Sequence, residues 1–186
     1  LGNSGSITRH SKSVRSYRLM PMLNQISVQH ERRRCAFDPI AEVQDCGSLE
    51  TMLSKLLRDL PYLVHTNREL GLMLAGKKPL AYFVDGKDRF PQVVCRYLRL
   101  FDSHVEAGRI VRCDHFSDAA WGTCHHIFYA LPSEEWRIQA MLDLVLSDDP
   151  WSFEQERRQG ELLGYAHWMN DYWLEQIIGA KRLPPT

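Results

Sequence analysis

The chain lacks the signatures by which the large enzyme classes announce themselves. No G-x-S-x-G, H-E-x-x-H or G-x-G-x-x-G occurs in its 186 residues, which removes the nucleophile-elbow hydrolases, the common zinc proteases and the dinucleotide-binding folds as readings from motif. No apolar run approaches the roughly 20 residues needed to cross a bilayer, and no uninterrupted apolar stretch near the start resembles a secretion signal. A cytoplasmic protein without membrane contact is expected. Cysteine is sparse: Cys35, Cys46, Cys95, Cys113 and Cys124 are odd in number and widely spaced. That pattern is not a secreted disulfide scaffold, and reduced thiols are expected.

Net charge is also lacking, since 23 basic residues balance 23 acidic ones. The zero conceals an asymmetry. Residues 1–34 hold seven Arg or Lys against Glu31 alone, so the remainder is acidic, and a broad nucleic-acid-binding face on the folded part is not expected. Nucleic acid enters only as a ligand of the basic arm. Residues 1–22, opening "LGNSGSITRHSKSVRSYR", carry too little apolar surface to offset the entropy of ordering them. They read as a disordered basic segment or as a scar or read-through sequence ahead of Met20 or Met22. Residues 23–186 read as one globular domain, because 44% hydrophobic residues suffice for a core and no long linker or internal repeat divides them.

Within that domain, "QISVQHERRR" alternates as a strand. "GSLETMLSKLLRDLPYL" places Leu49, Met52, Leu53, Leu56, Leu57 and Leu60 on one helical face, capped by Ser48 and stopped by Pro61. A short helix follows, with Thr66 and Glu69 spaced as a capping box and Gly76 as its stop. "PLAYFV" reads as a buried strand ending at Asp85-Gly86, and "FPQVVCRYLRLFDSHVEAG" as a helix entered through Pro91 and left at Gly108. "RIVRCDHF" and "TCHHIFYAL" read as a hairpin across FSDAAWG. Three helices close the chain: one capped by Ser133 and ended by Asp148-Asp149-Pro150, then two separated near Gly164. The expected fold is α+β: a helix-rich domain with a small mixed or antiparallel sheet of three or four strands, covered by helices lying on one side.

Two regions carry candidate chemistry. Gly71–Lys78 spells G-x-x-x-x-G-K, but a helix precedes it and a strand follows, the reverse of a phosphate-binding loop. In the hairpin, side chains alternate faces, so Cys113 and His115 share one face of the first strand and Cys124 and His126 one face of the second. If Phe116 pairs with Thr123, the four cluster as zinc-type ligands; a slip of one residue brings His125 to that face and dissolves the set. As a thiol site, Cys113 or Cys124 would be activated by His115, His125 or His126, with Asp114 orienting the base. The ordinary reading is that these sulfurs and imidazoles pack and hydrogen-bond within a sheet, so zinc is a secondary expectation and no cofactor is the first.

The other region is the tail, where four of the five tryptophans fall within 38 residues beside many charges. Large aromatics next to charge are the composition of recognition surfaces and also of cores. Trp151, Arg157, Trp168, Tyr172 and Trp173 are the candidate contact residues, and His167, Asn170 and Asp171 read as solvated. The function expected is a non-catalytic cytosolic binding or regulatory module acting on a protein partner or on a second copy of itself. The alternative is a small enzyme or zinc protein that uses residues 113–126.

Overall fold

The computed structural model describes residues 57–119 and 122–182. The basic arm, the strand expected at 25–30, the Ser48 cap with most of its helix, and Cys35 and Cys46 lie outside the described residues. What is described is α+β, as the patterning implies. Five helices surround three antiparallel strands: α1 Glu69–Leu74, β1 Leu80–Gly86, α2 Gln92–Glu106, β2 Val111–Ala119, β3 Gly122–Ala130, α3 Trp136–Val145, α4 Phe153–Leu162 and α5 His167–Arg182.

β3 is central, with β1 on one side and β2 on the other. Because strand side chains alternate, the two faces of β3 bury different partners. Phe128 and Ala130, with Leu80 and Tyr82, pack against Ile138, Met141 and Leu142 of α3, Leu162 of α4 and Trp173 of α5. Ile127 and Tyr129, with Ala81, pack against Val94, Leu98 and Phe101 of α2 and Met73 of α1. Helices therefore cover both faces, which corrects the one-sided arrangement expected from element order. The cause is visible in β3, whose last five residues are buried without a break, the mark of a strand covered on both sides.

The ends of several elements differ from expectation. α1 begins after Arg68 without a side-chain cap, so the Thr66–Glu69 spacing does not make a capping box. Ser133 does not cap α3; it holds a left-handed backbone at φ 76°, and the helix begins after Glu135 with no side-chain cap. The box that does form was not expected. Ser152 accepts from the Gln155 N–H while the Gln155 side chain accepts from the Ser152 N–H, closing two orphan donors of α4.

At Gly164, with φ 87°, a β-carbon would fall 2.4 Å from Pro79 Cδ, so glycine both turns the chain and admits the approach of Pro79. That approach seats Lys78, which is 2% exposed. Its ammonium donates to the Leu163 carbonyl at 3.2 Å, lies 3.3 Å from His65 Nδ1 and stands 5.7 Å from the Tyr165 ring centre. A cation at the C-terminal carbonyls of α4 complements the helix dipole. Burial nonetheless pulls Lys78 down to about 8, with Glu69 acting the other way. Lys78, which follows the G-x-x-x-x-G-K of residues 71–77 where a phosphate loop would carry Ser or Thr, is thus a buried helix cap.

Candidate functional site

The hairpin register settles what the Cys/His stretch brings together. His115 stands opposite His126, Cys113 opposite Phe128, Ser117 opposite Cys124 and Phe116 opposite His125. This is two residues away from the pairing of Phe116 with Thr123, because β2 continues through Ser117 and Asp118 to Ala119 instead of ending at Phe116. A shift of two preserves the face and changes the neighbours. Cys113, His115, Cys124 and His126 do share one face, but the sulfurs lie opposite Phe128 and Ser117. No group of three or more His, Cys, Asp or Glu side chains among the described residues is placed to hold a metal ion. The four-ligand zinc set is not assembled.

His126 organises that face. It is 3% exposed, with Nδ1 sharing a hydrogen bond of 2.8 Å with the Tyr82 hydroxyl and Nε2 sharing one of 2.8 Å with Ser117 Oγ. Its ring lies parallel to Tyr82, and the His115 ring is 5.9 Å away. Burial, with smaller contributions from His115 and His125, lowers His126 to about 4, so it is neutral at pH 7. A neutral imidazole has one donor and one acceptor nitrogen, and a hydroxyl at each end satisfies both. Cys124 adjoins this relay. Burial raises its thiol above the usual range despite a hydrogen bond with Ser117 that acts downward, the opposite of the lowered thiol that a nucleophile needs. Cys113 is half-buried against the core on this face.

The opposite face carries the acid. Asp114 receives two bonds from Arg112, Nε at 2.7 Å and Nη2 at 2.9 Å, and its Oδ1 lies 2.7 Å from His125 Nε2. Arg112 donates further to Asp102 at 2.7 Å, and the Tyr129 hydroxyl donates to the same carboxylate at 3.1 Å. Hydrogen bonds from Arg112, and secondarily His125, hold the Asp114 carboxyl below its usual range. Phe116 stacks on His125 with ring centres 4.4 Å apart. Asp114 therefore orients His125 on the α2 side, whereas both hairpin sulfurs lie on the α3–α5 side. A Cys–His–Asp catalytic line is split by the thickness of the sheet.

In the tail, the structure sorts the aromatic residues into two kinds. Glu156 is buried in the first turn of α4 and accepts the Trp151 indole N–H at 2.8 Å and the Trp173 indole N–H at 2.9 Å, one on each oxygen. Trp173 is 2% exposed and belongs to the core. Arg157 is ion-paired with Asp171, and Tyr172 is half-buried with its ring edge against Tyr62. Asn170, expected in solvent, is buried: its amide donates to the Tyr165 carbonyl at 3.3 Å, and it fills the space where a β-carbon on Gly160 would come within 2.0 Å of its oxygen. Asp171 and His167 are exposed, as the helical spacing implied.

Two tryptophans face outward, Trp168 at 51% and Trp136 at 52% exposure. They lie at one end of the helical layer. The Arg137 guanidinium stands 4.7 Å from the Trp136 ring centre and donates to the Glu161 carbonyl at 3.0 Å. His167, next to Trp168, has Nδ1 3.7 Å from a Glu161 carboxylate oxygen. Trp168 rests edge-on against Tyr62 at 5.4 Å. Trp136 was not among the candidate contact residues, since its place at the start of a helix gives no sign of exposure. Comparison with protein families, with curated proteins and with solved structures finds no match to this chain.

Proposed function

We propose that the chain is a non-catalytic protein-binding module and that its contact surface is the end of the helical layer bearing Trp136 and Trp168. The observation that carries this reading is the pair of half-exposed indoles set around Arg137, Glu161 and His167. Tryptophan and arginine dominate the energetic centres of protein interfaces. A tryptophan offers roughly 200 Å² of surface, so burying the exposed half of each is worth about 2.5 kcal/mol at ~25 cal/mol per Å². The other aromatics of the tail serve the reading indirectly, by fixing the helices that present these two. The expected compartment is a reducing cytoplasm, which the free thiols of Cys95, Cys113 and Cys124 support.

The experiment compares the full chain with Trp136→Ala/Trp168→Ala in affinity capture and size analysis. A stoichiometric protein partner retained by the wild type and lost by the double variant, which still unfolds cooperatively above the capture temperature, is the expected result. Equal retention by both excludes this surface.

One observation favours a second reading, a small enzyme using the hairpin: Ser117 Oγ, His126 and Tyr82 stand in the order nucleophile, base and orienting group. The cost of charging a buried imidazole held near 4 opposes it. Labelling of Ser117 by a fluorophosphonate probe, absent in His126→Gln, supports the enzyme; an unlabelled Ser117 removes it.

A further inference from the structure

Two outward surfaces on opposite sides of the sheet are complementary in charge and both carry exposed apolar side chains. α2 turns Gln92, Val93, Cys95, Arg96, Arg99 and Leu100 to solvent. Val93 and Leu100, two turns apart with Arg96 between them, are 53% and 55% exposed. No acidic residue occurs between Asp88 and Asp102, and Asp102 is engaged by Arg112 and Tyr129. The two guanidinium groups therefore present positive charge over a shallow depression lined in part by Gln92 and Cys95.

The second surface is the turn from α3 into α4. No Lys or Arg occurs between Arg137 and Arg157, whereas Asp143, Asp148, Asp149 and Glu154 all fall there. Leu146 is 40% exposed, and Asp149 and Glu154 are exposed beside it in the chain. Asp143 and Asp149 receive hydrogen bonds from Gln139 and Ser147, neutral donors that leave the negative charge in place.

We propose that α2 of one copy docks on the α3–α4 turn of a second copy, Arg96 and Arg99 against Asp149 and Glu154, with Val93 and Leu100 against Leu146. α2 packs on the sheet face of Ile127 and Tyr129, and α3 and α4 pack on the face of Phe128 and Ala130. One copy thus presents both surfaces at once, and the contact is head-to-tail, growing into chains instead of closing as a two-fold dimer. A formal net charge of zero leaves no overall repulsion between copies. This contact is separate from the tryptophan end, because the α3–α4 turn lies at the opposite end of those two helices from Trp136 and Glu161.

Sedimentation velocity of the full chain tests it. The weight-average mass rises past that of a dimer with concentration at low salt and falls back as salt is added. Arg96→Glu/Arg99→Glu alone stays monomeric, and so does Asp149→Lys/Glu154→Lys, since each then opposes like charges. An equimolar mixture of the two charge-reversed proteins regains the assembly, because every α2 then meets an α3–α4 turn of opposite sign. Trp136→Ala/Trp168→Ala assembles like the wild type. A chain that is monomeric under all conditions, an assembly that stops at a dimer, a mixture that fails to reassemble, or assembly lost in the tryptophan variant each overturns the inference.

Discussion

Replacing Glu156 is the perturbation that most sharply separates the supporting tryptophans from the presented ones. This carboxylate is 7% exposed and accepts two indole N–H groups, and its place in the first turn of α4 sets it in the favourable field of the helix N-terminus. Glu156→Gln keeps the shape but offers one acceptor oxygen and one N–H₂ group, which meets an indole donor head-on. One hydrogen bond to a charged group is lost, about 1.5–3 kcal/mol. The amide oxygen turns to the buried Trp173 indole, so Trp151, only half-buried, is the one that gives up its bond, and water replaces part of it. Glu156→Ala removes both bonds and leaves a cavity, about 3–5 kcal/mol together, discounted because Trp151 can turn to solvent. At about 2–4 °C per kcal/mol for a chain of this size, Glu156→Gln lowers the melting temperature by about 3–12 °C and Glu156→Ala by more. Calorimetry with indole fluorescence as a second probe reads both values. A change under about 1 °C for Glu156→Ala would refute the claim that this carboxylate organises α4 and α5.

Four further outcomes follow from the same geometry. His126 is lowered from 6.5 to about 4, so the unfolded chain takes up its proton first and stability falls as pH drops from 6.5 towards 4, by roughly 2–3 kcal/mol; urea melts across that window show the loss, and His126→Gln flattens it. Gln159 is 1% exposed and neither atom of its amide has a hydrogen-bond partner among the described residues, so Gln159→Leu raises stability by about 1–3 kcal/mol in chemical denaturation. Gly160→Ala drives a methyl into Asn170 and costs about 1–3 kcal/mol, and Asn170→Ala in the same chain recovers part of it in a double-mutant cycle. Lys78→Ala removes the cap on Leu163 and the contact with His65 and costs about 2–4 kcal/mol in the same assay.

Element type and order were legible because they rest on local patterning. The spacing of Val94, Leu98, Phe101 and Val105 marks α2, and its limits at Pro91 and Gly108 agree with the backbone, Gly108 holding φ 67°. Caps were less legible. A Ser or Thr before a helix is common, and only tertiary approach decides which one turns inward; Ser152 does, and Ser133 does not. The hairpin register could not be read from FSDAAWG, since Ser117 and Asp118 favour turns in isolation yet extend β2 here, opposite Cys124 and Thr123. The buried polar groups were hidden for a related reason. Lys78, Glu156 and Asn170 satisfy their donors and acceptors with Leu163, Trp151, Trp173 and Tyr165, partners on other elements or across a turn. Their burial depends on contacts that no single helical or strand period encodes.

The four tail tryptophans divide by role, two buried or half-buried and two turned outward, and substituting each with alanine measures that division directly. Trp173→Ala is predicted to cost about 3–5 kcal/mol and Trp151→Ala a smaller amount, both without altering the outward surface. Trp136→Ala and Trp168→Ala are predicted to leave unfolding within about 1.5 kcal/mol of the wild type while abolishing partner retention. A melting temperature that falls as far for Trp168→Ala as for Trp173→Ala, with partner retention intact, would contradict it.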